Sequence, residues 1–319
     1  EFRAMDMGNI MHKVLESLIK EVNKEKLSLA ELSEEERDAL ADRLVDKISA
    51  DYGNTILKSS ARNEYMIQRT KRMVRRTVWA IQKQLKSGEF EPEGVEVVFQ
   101  GGRIDRVDTM ETDDGKLYVR VIDYKTGNTS FDLVSLYHGL QLQLMIYMDG
   151  ALTVEQNKHK DKDVIPAGVF YYNIKDPMIQ EKIDADVEAV SAGLMKELKM
   201  NGLVQADPEL VYRMDSSLGS IPVAFNKDGS FRKNSSVADR TQFAVLGRYV
   251  RTKIEKIRSS ILEGDAEVSP YELGKKNACT YCPYMTVCGF DRRLSGYEFR
   301  RLKNFSDEEV WKAFDREAE

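Results

Sequence analysis

The pattern that most constrains the fold is a change of periodicity at the PEG segment, residues 92–94. After it, the segments VEVVFQ, GRIDRVD and KLYVRVIDYKTG predict consecutive strands, with a turn at 113–115 before the third. A predicted helix at about 136–148 and an apolar predicted strand at 167–174 follow. This order of elements predicts an α/β fold with a central mixed sheet flanked by helices.

Three segments make up the predicted domain, which we expect to be a single composite unit. Residues 1–90 are mostly helical, with predicted helices at 8–22, 32–52 and 63–88. Ser33 and Glu36 have the spacing of a capping box. Residues 91–200 hold the predicted strands and end with a predicted helix at 184–199. Residues 201–319 hold a polar loop, a predicted helix at 237–263 and a cysteine cluster. Because the chain opens on Glu1 rather than methionine, we expect a fragment of a longer protein.

Composition indicates a globular protein. Hydrophobic residues make up 42% of the 319 residues and charged residues 32%. The hydrophobic fraction is too high for a disordered chain. No apolar run approaches the roughly 18 residues that cross a bilayer, and no signal peptide is evident, so we expect a cytoplasmic location and no membrane partner. The net charge of −5 argues against a uniformly basic surface but allows a local basic path for nucleic acid.

Two carboxylates and one lysine on neighbouring predicted strands carry the chemistry. Asp123 and Lys125 lie two residues apart in VIDYKTG, so their side chains share one face of a strand. Asp105 in GRIDRVD lies on the preceding strand and can converge with Asp123 on one divalent cation. Such a set suits phosphodiester hydrolysis, with Mg²⁺ or Mn²⁺ held by the carboxylates and the lysine acting on water or on the charged phosphate. The alternative is a structural ion pair at a strand edge.

The motifs GRIDRVD, VIDYKTG and GLQLQLMIY, in this order, resemble those of the RecB-like branch of the PD-(D/E)XK nuclease superfamily. GNIMHKVLE is similar to the upstream glycine–histidine helix of that family, and ACTYCPYMTVCGFD is similar to its C-terminal iron–sulfur cysteines. The resemblance covers nearly the whole chain and is greatest to the nuclease domains of bacterial helicase–nuclease subunits. It implies a restriction-endonuclease-like core, a helical N-terminal part and a C-terminal cysteine-cluster segment.

The resemblance also implies a role for particular residues. The metal ligands of the family fall on His12, Asp105 and Asp123, the backbone carbonyl of Tyr124 is a further ligand, and Lys125 is the catalytic lysine. A lone histidine on an amphipathic helix is more often packed or exposed than a ligand, and only the glycine–histidine match favours His12. The other two histidines of the chain, His138 and His159, match no family ligand.

Three further catalytic residues follow from the same resemblance. Gln141 and Tyr147 match a family element that contributes to the site and to DNA contact, and on one ideal helix they would lie about 240° apart. Glu96 would be an additional acidic residue, although Glu91 and Glu93 lie close to it in sequence.

A basic helical segment is a candidate DNA-binding surface. It contains an interleaved aromatic residue and several arginines, of which we single out Arg69, Arg72, Arg75, Arg76 and Trp79. A charged helix face is usually only a solvated face. The functional alternative is a wall that tracks the phosphates of single-stranded DNA and stacks a base.

Only three cysteines are present, Cys279, Cys282 and Cys288, and their close spacing indicates a metal or cluster site rather than a disulfide framework. Zinc and a [4Fe–4S] cluster both want four protein ligands, and no histidine lies within this segment. The resemblance implies the cluster, with a fourth cysteine upstream of the glycine–histidine helix. Because that cysteine is not in this chain, we expect the cluster to be incomplete or absent here.

The resemblance implies a Mg²⁺- or Mn²⁺-dependent DNA exonuclease that acts on single-stranded ends. It further implies degradation of the 5′-terminated strand during double-strand-break processing, beside a partner subunit of a helicase–nuclease. No Walker A sequence is present, so this chain would not power unwinding. The alternatives are a free-standing Cas4-like exonuclease and, from another class, a catalytically silent DNA-binding clamp.

Overall fold

The computed structural model describes residues 4–52, 60–179 and 186–318. The chain forms two compact units, one drawn from residues 1–131 and 144–243 and the other from residues 132–143 and 244–319. The three segments drawn from the sequence have other boundaries and stay a prediction. None of the described helices is long and apolar enough to span a bilayer.

Three helices open the first unit: α1 (Ala4–Lys24), α2 (Glu34–Asp51) and α3 (Ala61–Lys86). The helical spacing of apolar residues in α1 puts Ile10, Val14 and Leu18 on one buried face. The predicted capping box of α2 is confirmed, since Ser33 Oγ accepts a hydrogen bond from the Glu36 backbone N–H while the Glu36 carboxylate accepts one from the Ser33 N–H.

The predicted mixed sheet is confirmed as six strands in the described part of the chain. They are β1 (Glu91–Phe99), β2 (Gly102–Glu111), β3 (Lys116–Lys125), β4 (Asp163–Asn173), β5 (Asn201–Gln205) and β6 (Val237–Ala238), and they lie side by side in chain order. Strands β1 to β3 are antiparallel, β3 and β4 are parallel, β4 and β5 are antiparallel, and β5 and β6 are parallel. The sheet therefore brings the two predicted motif strands, β2 and β3, together at its middle.

The helix predicted at about 136–148 is wrong as a single element. The structure has a short helix α4 (Leu133–Tyr137) and a separate helix α5 (Gln143–Lys158). Gly139, with φ +79°, follows the end of α4 in a left-handed conformation that glycine adopts without steric cost. Hydrophobic spacing alone did not reveal this interruption.

Other boundaries differ by a few residues. Helix α6 spans Val187–Glu197, and the part of its predicted span at 184–185 lies outside the described residues. Helix α8 spans Arg240–Leu262, because the residues predicted to begin it form strand β6. Strand β5 and helix α7 (Pro208–Met214) are not foreseen by the sequence patterns.

The apolar core of the first unit lies between the N-terminal helices and one face of the sheet. Alternate residues of β3 and β4, among them Ile122, Tyr124, Phe170 and Tyr172, join the buried faces of α1 and α3.

A buried ion cluster lies on β2 and β3 within the first unit. Asp108 accepts hydrogen bonds from Arg106 Nε at 2.6 Å and from Arg120 Nε at 2.8 Å. The three side chains are at most 1% exposed, and Arg106 also donates to the Tyr124 hydroxyl at 3.4 Å. Burial alone would raise the pKa of Asp108, but the two guanidiniums outweigh it and hold that pKa below its usual range.

The second unit contains α4, most of α8 and α10 (Asp307–Ala318), with a small sheet of β7 (Tyr271–Leu273), β8 (Lys276–Asn277) and β9 (Arg300–Arg301). Its centre is aromatic: Tyr137 stacks on Tyr249 at 5.5 Å, and Phe314 packs edge-on against both rings. The short helix α9 (Met285–Cys288) ends the cysteine segment.

Candidate active site

Asp105 lies where β2 and β3 stop pairing. The regular register ends with Arg106 opposite Ile122. Beyond that pair, the Tyr124 backbone N–H donates a hydrogen bond to Asp105 Oδ2 at 2.7 Å. A carboxylate thus takes the place of a backbone acceptor, which fixes the Asp105 side chain against the end of β3.

Asp123 and Lys125 project from that end of β3. Asp123 is 2% exposed, and its Oδ2 atom lies 2.6 Å from Lys125 Nζ. Strand β4 pairs with β3 so that Tyr171 lies opposite Asp123, and Lys125 Nζ lies 5.4 Å from the centre of the Tyr171 ring. The lysine is therefore held between a carboxylate and the face of an aromatic ring.

Helix α1 brings His12 to the same place. His12 Nδ1 lies 3.4 Å from Asp105 Oδ2, and its ring meets the Tyr124 ring edge-on at 6.2 Å. Burial lowers the pKa of the His12 imidazole, but the hydrogen bond and charge of Asp105, with the charges of Asp123 and Glu96, outweigh burial and raise it. The imidazole therefore lies in a negative field.

Glu96 joins the group from β1. His12, Glu96 and Asp105 each offer a ligand atom, and these atoms lie within 4.8 Å of one another. Glu96 has φ +51°, a left-handed conformation that costs a residue with a Cβ atom about 1 kcal/mol or more. Of the neighbouring acids, Glu93 pairs instead with Lys158 at 3.2 Å, and Glu91 is not in this group.

The electrostatics show an excess of negative charge. Burial and the neighbouring Asp105 carboxylate raise the pKa of Asp123 to about 6, although Lys125 and His12 act in the opposite direction. A divalent cation would relieve this repulsion.

The donor set fits such a cation. It consists of one imidazole nitrogen from His12 and carboxylate oxygens from Glu96 and Asp105. Asp123, whose carboxylate pairs with Lys125, is outside this group, and its role as a metal ligand stays a prediction. Carboxylates suit Mg²⁺ and Mn²⁺, and an added nitrogen donor favours Mn²⁺ over Mg²⁺. The role of the Tyr124 carbonyl stays a prediction.

Gln141 and Tyr147 do not share one helix as expected. Gln141 precedes α5, in the second unit, and its Oε1 atom accepts a hydrogen bond from the Asp132 backbone N–H at 2.8 Å. Tyr147 lies on α5 in the first unit and packs edge-on against Phe99 at 5.9 Å. Burial, the Asp123 carboxylate and Tyr147 raise the pKa of Tyr171. The catalytic roles of both residues stay predictions.

The basic face of α3 is partly neutralised. Arg72 pairs with Asp176 at 2.5 Å and Arg75 with Asp42 at 3.0 Å. The Arg76 guanidinium lies 5.6 Å from the Trp79 ring centre, and the Arg69 side chain is exposed.

The three cysteines lie in the second unit as free thiols. The Cys282 N–H donates to the Cys279 carbonyl at 3.3 Å, so the first two lie in one turn. Burial and the neighbouring Cys282 and Cys288 sulfurs raise the pKa of Cys279. The three sulfurs are not among the groups of described residues whose ligand atoms lie within 4.8 Å of one another, so their joint binding of a cluster stays a prediction.

The remaining two histidines of the chain have protein partners. His138 Nε2 lies 2.8 Å from the Lys303 carbonyl oxygen, and His159 Nε2 lies 3.7 Å from the Glu155 carboxylate.

Sequence reasoning missed two side chains beside the site, Tyr171 and Arg103. Tyr171 belongs to an apolar strand, where a tyrosine looks like core. Arg103 is two residues before Asp105 in the GRIDRVD motif, and that spacing on a strand could have indicated it.

Comparison with known proteins identifies the superfamily to which the chain belongs. The family model of the PD-(D/E)XK nuclease superfamily matches residues 1–289, and the chain belongs to this superfamily.

Similar curated proteins are named as the B subunits of ATP-dependent helicase/deoxyribonucleases. The protein from Lachnoclostridium phytofermentans is 40% identical over 98% of this chain, that from Clostridium acetobutylicum 36% over 98%, and that from Alkaliphilus metalliredigens 33% over 98%. In each case the chain spans only 29% of the length of the relative. The resemblance to nuclease domains of helicase–nuclease subunits is thereby confirmed.

Proposed function

We propose that this chain is a divalent-metal-dependent nuclease that hydrolyses phosphodiester bonds of DNA. The observation that carries the proposal is the convergence of His12, Glu96 and Asp105 within 4.8 Å, beside the Asp123–Lys125 pair. Superfamily membership and relatives named as deoxyribonuclease subunits support the same activity.

His12, Asp105 and Asp123 would hold Mg²⁺ or Mn²⁺, with Glu96 as an additional acid. When bound, such an ion polarises a phosphate oxygen and lowers the pKa of water. Lys125, held by Asp123 and the Tyr171 ring, is positioned to orient the attacking water or to stabilise negative charge that grows on the phosphate. Asp105 is kept in place by the Tyr124 N–H, so the site needs little rearrangement.

The substrate we infer is single-stranded DNA at an end, and the strand degraded is the 5′-terminated one. The exposed Arg69 and the Arg76–Trp79 pair support a path for phosphates and bases along α3. Because the relatives are B subunits of a helicase/deoxyribonuclease, we propose an AddA-like partner subunit and a role in recombinational repair. In this scheme the chain corresponds to a nuclease domain of AddB.

The direct test incubates labelled single-stranded DNA with the chain and either Mg²⁺ or EDTA. We expect cleavage with Mg²⁺ and none with EDTA. Binding without cleavage would favour the silent clamp. Equal activity on 5′- and 3′-terminated substrates, with no effect of a partner subunit, would favour a free-standing Cas4-like enzyme.

His12 is tested separately because it lies far from the other ligands in sequence. His12→Ala should weaken Mn²⁺ binding, measured as a smaller increase in melting temperature on adding Mn²⁺. Asn9→Ala, one turn earlier on α1, is the matched control. An unchanged Mn²⁺ response in His12→Ala would remove His12 from the ligand set.

For Cys279, Cys282 and Cys288 we propose a role as three of the four thiolate ligands of a [4Fe–4S] cluster. Iron and sulfide analysis, with absorbance near 400 nm, should give less than four irons per chain. A stoichiometric four-iron cluster in this chain would show that another ligand completes it.

A further inference from the structure

Arg103 is a cation next to the proposed metal ligands. It precedes Asp105 by two residues on β2, and its Nη1 atom donates to Glu96 Oε2 at 3.1 Å. Glu96 itself offers a ligand atom within 4.8 Å of those of His12 and Asp105. A guanidinium therefore lies one hydrogen bond away from the metal-binding group.

The Arg103 side chain is open to a ligand. It is 64% exposed, whereas its partner Glu96 is only 16% exposed. The guanidinium has five N–H donors, and the hydrogen bond to Glu96 uses one of them. The planar fork of the others matches two phosphate oxygens, which is the geometry that favours arginine over lysine at such sites.

The neighbourhood of Arg103 suits an approaching nucleic acid strand. Val98, directly opposite Arg103 on β1, is 71% exposed and can pack on a sugar or base. The turn between the two strands consists of Gln100 and Gly101, and Gly102 begins β2, so two successive glycines add no side chain there.

We propose that Arg103 binds a phosphate of the DNA strand beside the metal-binding carboxylates. This inference rests on the proposed nuclease function and names one protein group that contacts its substrate. Its hydrogen bond to Glu96 holds the guanidinium ready, and a phosphate takes the free donors while Glu96 stays at the metal group.

The matched control is Arg213, which also pairs with one carboxylate, Glu89, at 2.7 Å. Arg213 lines a surface cavity together with Asp113 and Asp114 of the β2–β3 turn. Arg103 is at the other end of β2, roughly 27 Å away along the strand.

The experiment measures binding of a fluorescent single-stranded oligonucleotide by anisotropy across a salt series. Ca²⁺ replaces Mg²⁺ to limit cleavage, and a gel verifies that the DNA stays intact. Arg103→Gln should weaken binding about tenfold, as expected for the loss of a charge-assisted hydrogen bond. The slope of log K against log salt should decrease in magnitude by about 0.7, because one phosphate contact is lost. Arg103→Lys should keep the slope and part of the affinity, and Arg213→Gln should match the wild type.

Two further measurements separate the possible failures. The melting-temperature increase with Mn²⁺ should persist in Arg103→Gln, because the metal ligands remain. If the wild type cleaves DNA and Arg103→Gln has the same affinity and salt slope, the phosphate contact is wrong and the nuclease function stands. If the wild type neither binds nor cleaves, both proposals are wrong.

Discussion

Two aspartates three residues apart on β2 have opposite surroundings. Asp108 is fully buried between Arg106 and Arg120, and those guanidiniums lower its pKa. Asp105 is partly exposed and lies beside Glu96 and Asp123, where burial and the repulsion of Asp105 raise the pKa of Asp123 to about 6.

The two groups of carboxylates differ in where their countercharge comes from. In the buried cluster the protein supplies the countercharges, so the carboxylate can be ionised without help from solvent or a ligand. In the site, three carboxylates (Glu96, Asp105 and Asp123) face two permanent cations, Arg103 and Lys125, and the titratable His12, and a bound divalent cation would relieve the remaining repulsion. We infer that the first cluster stabilises the fold and the second is preserved for binding and chemistry.

The largest expected effect is the loss of stability on breaking the buried Arg106–Asp108–Arg120 cluster. Asp108→Ala leaves two guanidiniums buried without their carboxylate, which should lower the free energy of unfolding by about 3–5 kcal/mol. Urea denaturation measures the loss. Asp105→Ala is the matched control and should cost far less, because its surroundings are already negative. Equal losses in the two variants would contradict the comparison.

The next effect is on catalysis. Asp105→Ala, Asp123→Ala and Lys125→Ala should each lower the cleavage rate by about 10²–10³, since each removes a ligand or a charge that acts in the transition state. Urea denaturation of each variant verifies that the lower rate is not caused by loss of the folded state. Cleavage by Asp123→Ala at the wild-type rate would refute the proposed mechanism.

The pH dependence of folding stability should also differ between the site and the buried cluster. With a folded pKa of about 6 and an unfolded value near 3.8, the Asp123 carboxyl binds its proton more tightly in the fold. Without metal, its contribution to stability therefore falls as pH rises from about 4 to 6, by about 3 kcal/mol in all. Above pH 6 the loss is complete.

Asp123→Asn isolates that contribution. Urea unfolding in EDTA at several pH values should show a smaller decrease between pH 4 and 6 in Asp123→Asn than in the wild type. Asp108 has a lowered pKa, so its contribution has the opposite sign: it is present above pH 4 and is lost as pH falls through the folded pKa. If the free energy of unfolding varies with pH in the same way for wild type and Asp123→Asn, the raised pKa of Asp123 is wrong.

The sequence predicted the elements with strong local signals. The alternation in GRIDRVD and VIDYKTG placed Asp105, Asp123 and Lys125 on adjacent strands, and the capping box marked the start of α2. These features depend on residues close together in the chain. The contact of His12 with Asp105 spans many residues and was predicted only through the family resemblance.

Other features could not be read from local patterns. The break between α4 and α5 depends on a left-handed glycine inside an apolar segment, and it separated Gln141 from the helix of Tyr147. The buried Arg106–Asp108–Arg120 cluster looks from sequence like ordinary strand charge, because burial is decided by α1 and α3 covering the sheet. Tertiary packing, not propensity, fixes such positions.

The smallest expected effect concerns Tyr171, which shares the register position of Asp123 and lies 5.4 Å from Lys125 Nζ. If its ring positions the lysine ammonium by a cation–π contact, the interaction is worth about 1 kcal/mol. Tyr171→Leu should then lower kcat about fivefold with little change in KM or in the Mn²⁺ response. Tyr171→Phe keeps the ring and should restore the rate. The buried Arg120 guanidinium, which lies 4.8 Å from the Phe90 ring, provides the contrast: Phe90→Leu should affect stability and leave kcat unchanged. A rate loss in Tyr171→Phe equal to that in Tyr171→Leu would assign the effect to the hydroxyl group and not to the ring.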